Sequence, residues 1–327
     1  MGNLSTGQQL AAMHHLELAF LQDVAPKYLS HATPPHGLKI REWKNRSAVP
    51  LINRLHSGIS GLKRQCAQVL DHELVWLEGG NPLGTPVVLL HGFASNKENW
   101  LSLAPFLLKK HRLFILDLPG WGESQFNANV PYGLDDQVER VAAWLMTHVP
   151  GKVHLVGNSV GGLVSALLAG RHPDLLQSLC LMNPAGGKGE DHTLFEAGLR
   201  EGKNPMIVEN YAGAHTFMNL VVHSKAIALA LAPVMAQDWI SRQHVNRHLF
   251  HQMFVNAPNP NGPGMSATQA PTLIMWGKED KLVHYTGAYT YQAIISHADV
   301  VIFDSVGHLP MLEIPIRTAK ALQAFWS

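Results

Sequence analysis

From residue 73 to residue 303 the chain repeats one pattern, a short run with an apolar centre, most of the runs being followed by a helix-length segment. The runs are 73–78, 86–92, 111–117, one that starts at 153 and ends in Gly157-Asn158-Ser159-Val160-Gly161, then 176–182, 271–276 and 299–303. Strands apolar on both faces must be covered on both sides. The pattern therefore predicts an α/β fold, a mostly parallel sheet with helices on both faces. One interval breaks the rhythm. Residues 186–266 carry no strand signal and are rich in helix formers, methionine and aromatics, which predicts a helical cap inserted into a core made of 63–185 and 267–327.

Residues 1–62 precede the rhythm as a helical extension. Leu10, Met13, Leu16, Phe20 and Val24 share one helical face, and Ser5 with Gln8 has the form of a capping box. The polar face carries Glu17 and Asp23 without Lys or Arg, so the stripe is expected on the body or a second subunit rather than on anionic lipid. Pro34-Pro35-His36-Gly37 then breaks the chain. The basic stretch that follows, with Lys39, Arg41, Lys44, Arg46, Arg54, Lys63 and Arg64 against Glu42, is read as a solvated face, with peripheral membrane contact the alternative. Met1-Gly2-Asn3-Leu4-Ser5-Thr6 fits the loose N-myristoylation pattern, which matters only in a eukaryotic cell.

Charge and cysteine content exclude more than they assign. A formal net charge of +1 argues against nucleic acid as a partner. Cys66 and Cys180 offer no disulfide framework, and Cys180 lies in an apolar run where a small buried thiol is expected. No window reaches the roughly 18 apolar residues of a spanning helix, and no basic-then-apolar leader is visible. The expectation is a cytoplasmic protein without a transmembrane segment.

The chemistry is concentrated at strand ends. Gly157-Asn158-Ser159-Val160-Gly161 leads from a strand into the helix-like run 162–170, the setting of a nucleophile elbow. So tight a turn strains the backbone of Ser159 and leaves no room for side chains at Gly157 or Gly161. It also places the Val160 N–H at the positive end of the helix, where an oxyanion would form. Two later loops complete a nucleophile–acid–base order. Asp280 follows the run 271–276, with Glu279 the alternative acid, and His308 follows 299–303, while Asp304 is read as a turn residue. A serine hydroxyl needs a base to become nucleophilic. Imidazole, with a reference pKa of about 6.5, supplies one near neutral pH. A carboxylate holds the required tautomer. His91-Gly92-Phe93 supplies the second oxyanion donor, the Phe93 N–H, and one such donor is worth about 3 kcal/mol in a transition state. His91 is read as tying down its loop, Asp117 as structural, Trp121 as a pocket wall and Asn158 as a further substrate contact.

With these motifs in place, the region 74–326 resembles the α/β-hydrolase superfamily, and within it the lipase-3-type lipases and the monoacylglycerol lipases of the membrane-anchored mammalian kind. The similarity rests on residues 91–100, on Asn183-Pro184-Ala185-Gly186 as the entry into the cap, and on residues 306–313. It implies an α/β-hydrolase fold with Ser159, Asp280 and His308 as nucleophile, acid and base, and Phe93 and Val160 as oxyanion donors. The chain departs from the family at the elbow, where Val160 stands in a place often held by Met.

The expected activity is hydrolysis of acyl esters, glycerides among them, through an acyl-enzyme, with no cofactor or metal. Met206, Phe217, Met218, Met235, Trp239, Phe250, Met253 and Phe254 make the cap apolar, and some should line an acyl pocket. A second reading is a C–C bond hydrolase of aromatic ring-cleavage products, whose carboxylate-bearing substrates would use Arg242 or Arg247. A third is a non-catalytic binding member of the fold. His244, His248 and His251 share a helical face but lack the glutamate of an H-E-x-x-H zinc site, and are read as a polar face.

Overall fold

The computed structural model describes residues 61–187, 193–255 and 264–327. The N-terminal stripe, its capping box, the myristoylation pattern and the basic residues from Lys39 to Arg54 lie outside the described residues.

Strands β1 (Lys63–Val69), β2 (His72–Gly80), β3 (Pro86–Leu90), β4 (Arg112–Leu116), β5 (Val153–Asn158), β6 (Leu176–Met182), β7 (Thr272–Gly277) and β8 (Asp299–Phe303) form one sheet in the order β1-β2-β4-β3-β5-β6-β7-β8. Every pairing among β3 to β8 is parallel, and β2 runs antiparallel to both β1 and β4. All six residues of β5 and of β7 are buried. Side chains alternate between faces along a strand, so the sheet is covered on both sides.

Strand β1 departs from the sequence pattern. Its residues read Lys-Arg-Gln-Cys-Ala-Gln-Val, and the first four are exposed. It holds the edge through seven pairs with β2 and a tight turn in which Leu70 takes φ 51°. Polar side chains on an edge strand discourage pairing with other chains, and they also hide the strand from a search for apolar runs. Arg64, read as part of a solvated face, bonds Glu123 at 3.0 Å.

Helix α1 (Leu134–His148) follows β4 and α2 (Val160–Arg171) follows β5. Between β6 and β7 the described residues form α3 (Leu194–Arg200), α4 (Tyr211–Val221), α5 (Lys225–Ser241), α6 (Gln243–Phe250) and a π turn at His251–Val255. Helix α7 (Gly287–Ile294) lies between β7 and β8, and α8 (Pro310–Glu313) and α9 (Pro315–Phe325) close the chain. No helix among the described residues is long and apolar enough to cross a membrane. Cys180 is buried and burial pushes its thiol up, as expected for an inert core residue, whereas Cys66 is exposed.

Two buried histidines give the fold an acid limit. His154 at the start of β5 stacks on Trp326 at 4.7 Å and bonds Ser178 Oγ at 2.8 Å. Burial pushes His154 and His91 each down to about 4. Both rings are neutral when folded, while in the unfolded chain they titrate near 6.5. Above pH 6.5 neither state is charged there. As pH falls towards 4 the unfolded chain gains protons that the fold refuses, so stability drops across that window. Denaturant unfolding of His154→Gln between pH 4 and 6.5 should show a stability slope shallower than wild type by about one proton. An unchanged slope would mean that His154 is not the ring responsible.

Candidate active site

The elbow is a tightly constrained turn. Ser159 sits between β5 and α2 at φ 55° and ψ −121°, a conformation that costs a side-chain-bearing residue about 1–3 kcal/mol. Glycines make it fit. A Cβ on Gly157 would lie 2.2 Å from the Gly161 carbonyl oxygen, and one on Gly161 would lie 2.5 Å from the carbonyl oxygens of Leu90 and His91. The turn is pinned from β6, since the Ser159 N–H donates to Met182 O at 3.1 Å and the Ala185 N–H to Ser159 O at 2.9 Å.

Loops after β7 and β8 bring Asp280 and His308 together, with Nδ1 of the ring 2.6 Å from Oδ2 of the carboxylate. The same oxygen accepts from Asn183 Nδ2 at 2.7 Å, and Oδ1 accepts the N–H groups of Leu282 and Val283 at 2.8 and 3.0 Å. These three N–H donors fix the carboxylate as an acceptor, so Nδ1 of His308 carries the proton and Nε2 presents its lone pair. Nε2 is buried without a hydrogen-bond partner among the described residues. The Ser159 hydroxyl is not bonded to it in this structure. Hydrogen bonds of this kind are commonly long in ligand-free sites and tighten in the substrate complex. Glu279, the alternative acid, is exposed, and Asp304 faces outward to bond Lys278 at 2.9 Å.

The loop after β3 passes over the serine so closely that a Cβ on Gly92 would lie 2.9 Å from Ser159 Cβ and 3.4 Å from its Oγ. Phe93 is the next residue. Neither the Phe93 N–H nor the Val160 N–H donates to a protein acceptor among the described residues. His91 braces this loop as a neutral ring, with Nδ1 at 2.8 Å from Gly92 O and Nε2 accepting the Leu118 N–H at 3.0 Å. Asp117 braces it further on, accepting the Lys97 N–H and the Lys97 ammonium, each at 2.7 Å. Burial pulls the Lys97 ammonium down, but Asp117, Glu98 and Glu123 outweigh this and raise it, so it stays charged. The sequence reading passed over Lys97; its only signal was a lone lysine in the loop after β3.

The helices between β6 and β7 touch the loops that carry these groups. Ser159 and Asp280 are each 5 % exposed and His308 is 2 % exposed. Trp121, expected as a pocket wall, is buried edge-on to Phe93 at 5.4 Å and donates from Nε1 to Asn246 Oδ1 at 3.1 Å. Phe250 meets Phe93 at 5.9 Å and Phe217 meets Trp239 at 5.0 Å. Asn158, expected on the substrate, spends its amide nitrogen on the carbonyls of Met182 and His308 at 3.0 and 3.1 Å, leaving buried Oδ1 without a partner. Arg242 is committed to Gly120 O at 2.7 Å and Gly122 O at 2.9 Å, and Arg247 pairs with Glu209. Of the two arginines named for a substrate carboxylate, Arg242 is thus buried against backbone carbonyls and Arg247 sits in a surface ion pair. His248 packs edge-on against Phe126 and Tyr132, and no group of three His, Cys, Asp or Glu among the described residues is placed to hold a metal ion. Asn183, at φ 46° after β6, was not singled out as a partner of the acid; a polar residue in the left-handed region at a strand end is the signal that marks it.

A strained serine at a strand-to-helix turn, with a carboxylate–imidazole pair on later loops of a parallel sheet, defines an α/β hydrolase. Comparison with known proteins agrees, because the model of the alpha/beta hydrolase family matches residues 87–321, and the chain belongs to that family. It is similar to Lipase 1 of Psychrobacter immobilis, 29% identical over 259 residues that cover 78% of this chain and 81% of that protein. It is also similar to monoacylglycerol lipase ABHD6 of Homo sapiens, 26% identical over 267 residues, 78% of this chain and 79% of that one. Among solved structures, a membrane phospholipase A described as a bacterial virulence factor superposes with a TM-score of 0.79 at 30% identity, over 85% of this chain and 90% of that one.

Proposed function

We propose that the protein is a serine hydrolase that cleaves carboxylic esters of acyl substrates, glycerides among them, through an acyl-enzyme. The observation that carries this is the 2.6 Å pairing of His308 Nδ1 with Asp280 beside the elbow serine, which leaves Nε2 as a buried base. Nε2 of His308 takes the Ser159 proton as Oγ attacks the ester carbonyl. The negative charge that develops on the carbonyl oxygen is met by the N–H groups of Phe93 and Val160, and Asp280 stabilises the imidazolium. The ring then returns the proton to the leaving alcohol. A water deprotonated by the same ring attacks the acyl-Ser159 ester, and the ring returns that proton to Oγ as the acid is freed. These groups and water account for every proton in the cycle.

In this reading residues 186–266 form a cap over a core of 63–185 and 267–327, and Trp121 with the cap's buried Met and Phe side chains shapes the acyl pocket. The lipase names of the relatives support an ester of a lipid-like acid, and the engagement of buried Arg242 by the carbonyls of Gly120 and Gly122 weighs against a C–C hydrolase that would hold a substrate carboxylate with it. A series of p-nitrophenyl esters from acetate to palmitate, with a monoacylglycerol and a vinylogous diketone acid alongside, tests the proposal. Turnover of the esters and the monoacylglycerol is expected. Cleavage of the diketone acid with none of any ester would overturn the reading in favour of C–C hydrolysis.

A further inference from the structure

Helix α5 is bonded at its two ends to two different parts of the candidate site. Just before it starts, the N–H groups of His223 and Ser224 donate to one oxygen of Glu313, at 2.9 and 3.1 Å. The other oxygen of Glu313 accepts the Gly307 N–H at 2.8 Å. Glu313 thereby ties the turn between α4 and α5 to the residue that precedes His308. The base's own N–H adds a bond to Val221 O, at the end of α4, at 2.9 Å. Contact is direct, since a Cβ on Gly307 would lie 2.7 Å from the His223 nitrogen. Near the far end of α5, the Trp239 indole N–H donates to Ala94 O at 2.9 Å. Ala94 follows Phe93 and takes φ 53°, so its carbonyl is held in a strained turn.

The strands that carry the two loops are separated in the sheet, although both loops also reach the elbow, Gly92 against Ser159 and the His308 carbonyl on Asn158 Nδ2. The base loop follows β8 and the oxyanion loop follows β3, with β5, β6 and β7 between them. The helix has 17 residues, about 25 Å at 1.5 Å per residue, and bridges that gap. Pro233 stands inside it and removes one backbone N–H.

Resting on the ester-hydrolase reading, we propose that α5 is a strut that sets the spacing between the base loop and the oxyanion loop, with Glu313 and Trp239 as the positioning residues at its ends. An acyl chain that presses on α5 is then felt at His308 and at Phe93 together. Binding energy from the unreactive part of the substrate is thereby spent on aligning the reacting groups, which raises kcat rather than lowering KM.

The test is Glu313→Gln and Trp239→Phe, singly and combined, assayed on p-nitrophenyl butyrate with melting temperature measured in parallel. Glutamine keeps the shape of Glu313 but brings only one oxygen, so its amide nitrogen must face an N–H on one side of the junction. Phenylalanine keeps a ring against Phe217 and loses the indole donor. Each single variant should lose about tenfold in kcat with KM held within roughly threefold, because small misplacements of reacting groups are costly. The double variant should lose about thirtyfold rather than the hundredfold product of independent effects, since part of each single loss comes from the same loosened strut. Wild-type kcat in either folded single variant overturns the proposal, and so does a double variant whose losses multiply. If Glu313→Gln fails to fold, Gly307→Ala takes its place, because its Cβ wedges the same junction, and the same outcomes decide. A wild-type protein that turned over no ester would sink the ester reading instead. The strut is then judged by the rate at which a fluorophosphonate labels Ser159 in the same variants.

Discussion

Replacing Ser159 by alanine is expected to lower ester turnover by a factor of about ten thousand or more while leaving the melting temperature almost unmoved. The two halves of this expectation have separate causes. The hydroxyl makes no hydrogen bond to a protein partner among the described residues, so its loss strands no donor or acceptor. The strain of φ 55° is set by the backbone, which alanine shares with serine. The stability change should stay below about 0.5 kcal/mol, or roughly 2 °C. Activity has no such insulation, because no other nucleophilic side chain is held at the turn between β5 and α2.

Kinetics on a p-nitrophenyl ester, with labelling by a fluorophosphonate, checks both halves. The variant should be folded, unlabelled and inactive. A folded variant that retained more than a few per cent of wild-type turnover would remove Ser159 from the mechanism and the proposed acyl-enzyme with it.

What the sequence made legible follows from where burial is two-sided. Strands β3 to β7 announce themselves because they are buried at nearly every position, and apolar runs at Val87–Leu90 or Leu273–Trp276 have no other cheap explanation; β8, half-buried at the far edge, is legible from the apolar run Val300–Phe303. Strand β1 is wet, and its alternation carries no apolar signal, so only its pairing with β2 reveals it. The positions of Ser159, Asp280 and His308 after β5, β7 and β8 were readable from the order of the motifs. The supports around them were not. Asn183 meets Asp280 across 97 residues, Glu313 meets His223 across 90, and Trp239 meets Ala94 across 145. Nothing local distinguishes such a glutamate or tryptophan from its many solvated or core-filling equivalents. Arg242 failed as a substrate contact for the same reason, since the carbonyls of Gly120 and Gly122 that claim it lie on a distant loop.

The acid gives the second large effect. In Asp280→Asn the amide oxygen would keep the N–H groups of Leu282 and Val283, which now bond Oδ1 at 2.8 and 3.0 Å. Its NH2 would then face Asn183 Nδ2 and His308 Nδ1, the two groups that Oδ2 serves at 2.7 and 2.6 Å. A donor opposite Nδ1 favours the tautomer with its proton on Nε2, and an Nε2 that carries a proton cannot take one from serine. A loss of about ten thousandfold in kcat is expected, the size seen when this tautomer is forced in a serine triad. The folded state should also lose about 1–3 kcal/mol, because the Asn183 amide is left buried without its acceptor. Glu279→Gln is the control. Glu279 is exposed on the same loop, so its kcat should stay within about twofold of wild type. If Glu279→Gln were the inactive variant and Asp280→Asn the active one, the carboxylate behind His308 would be misassigned, however short its hydrogen bond.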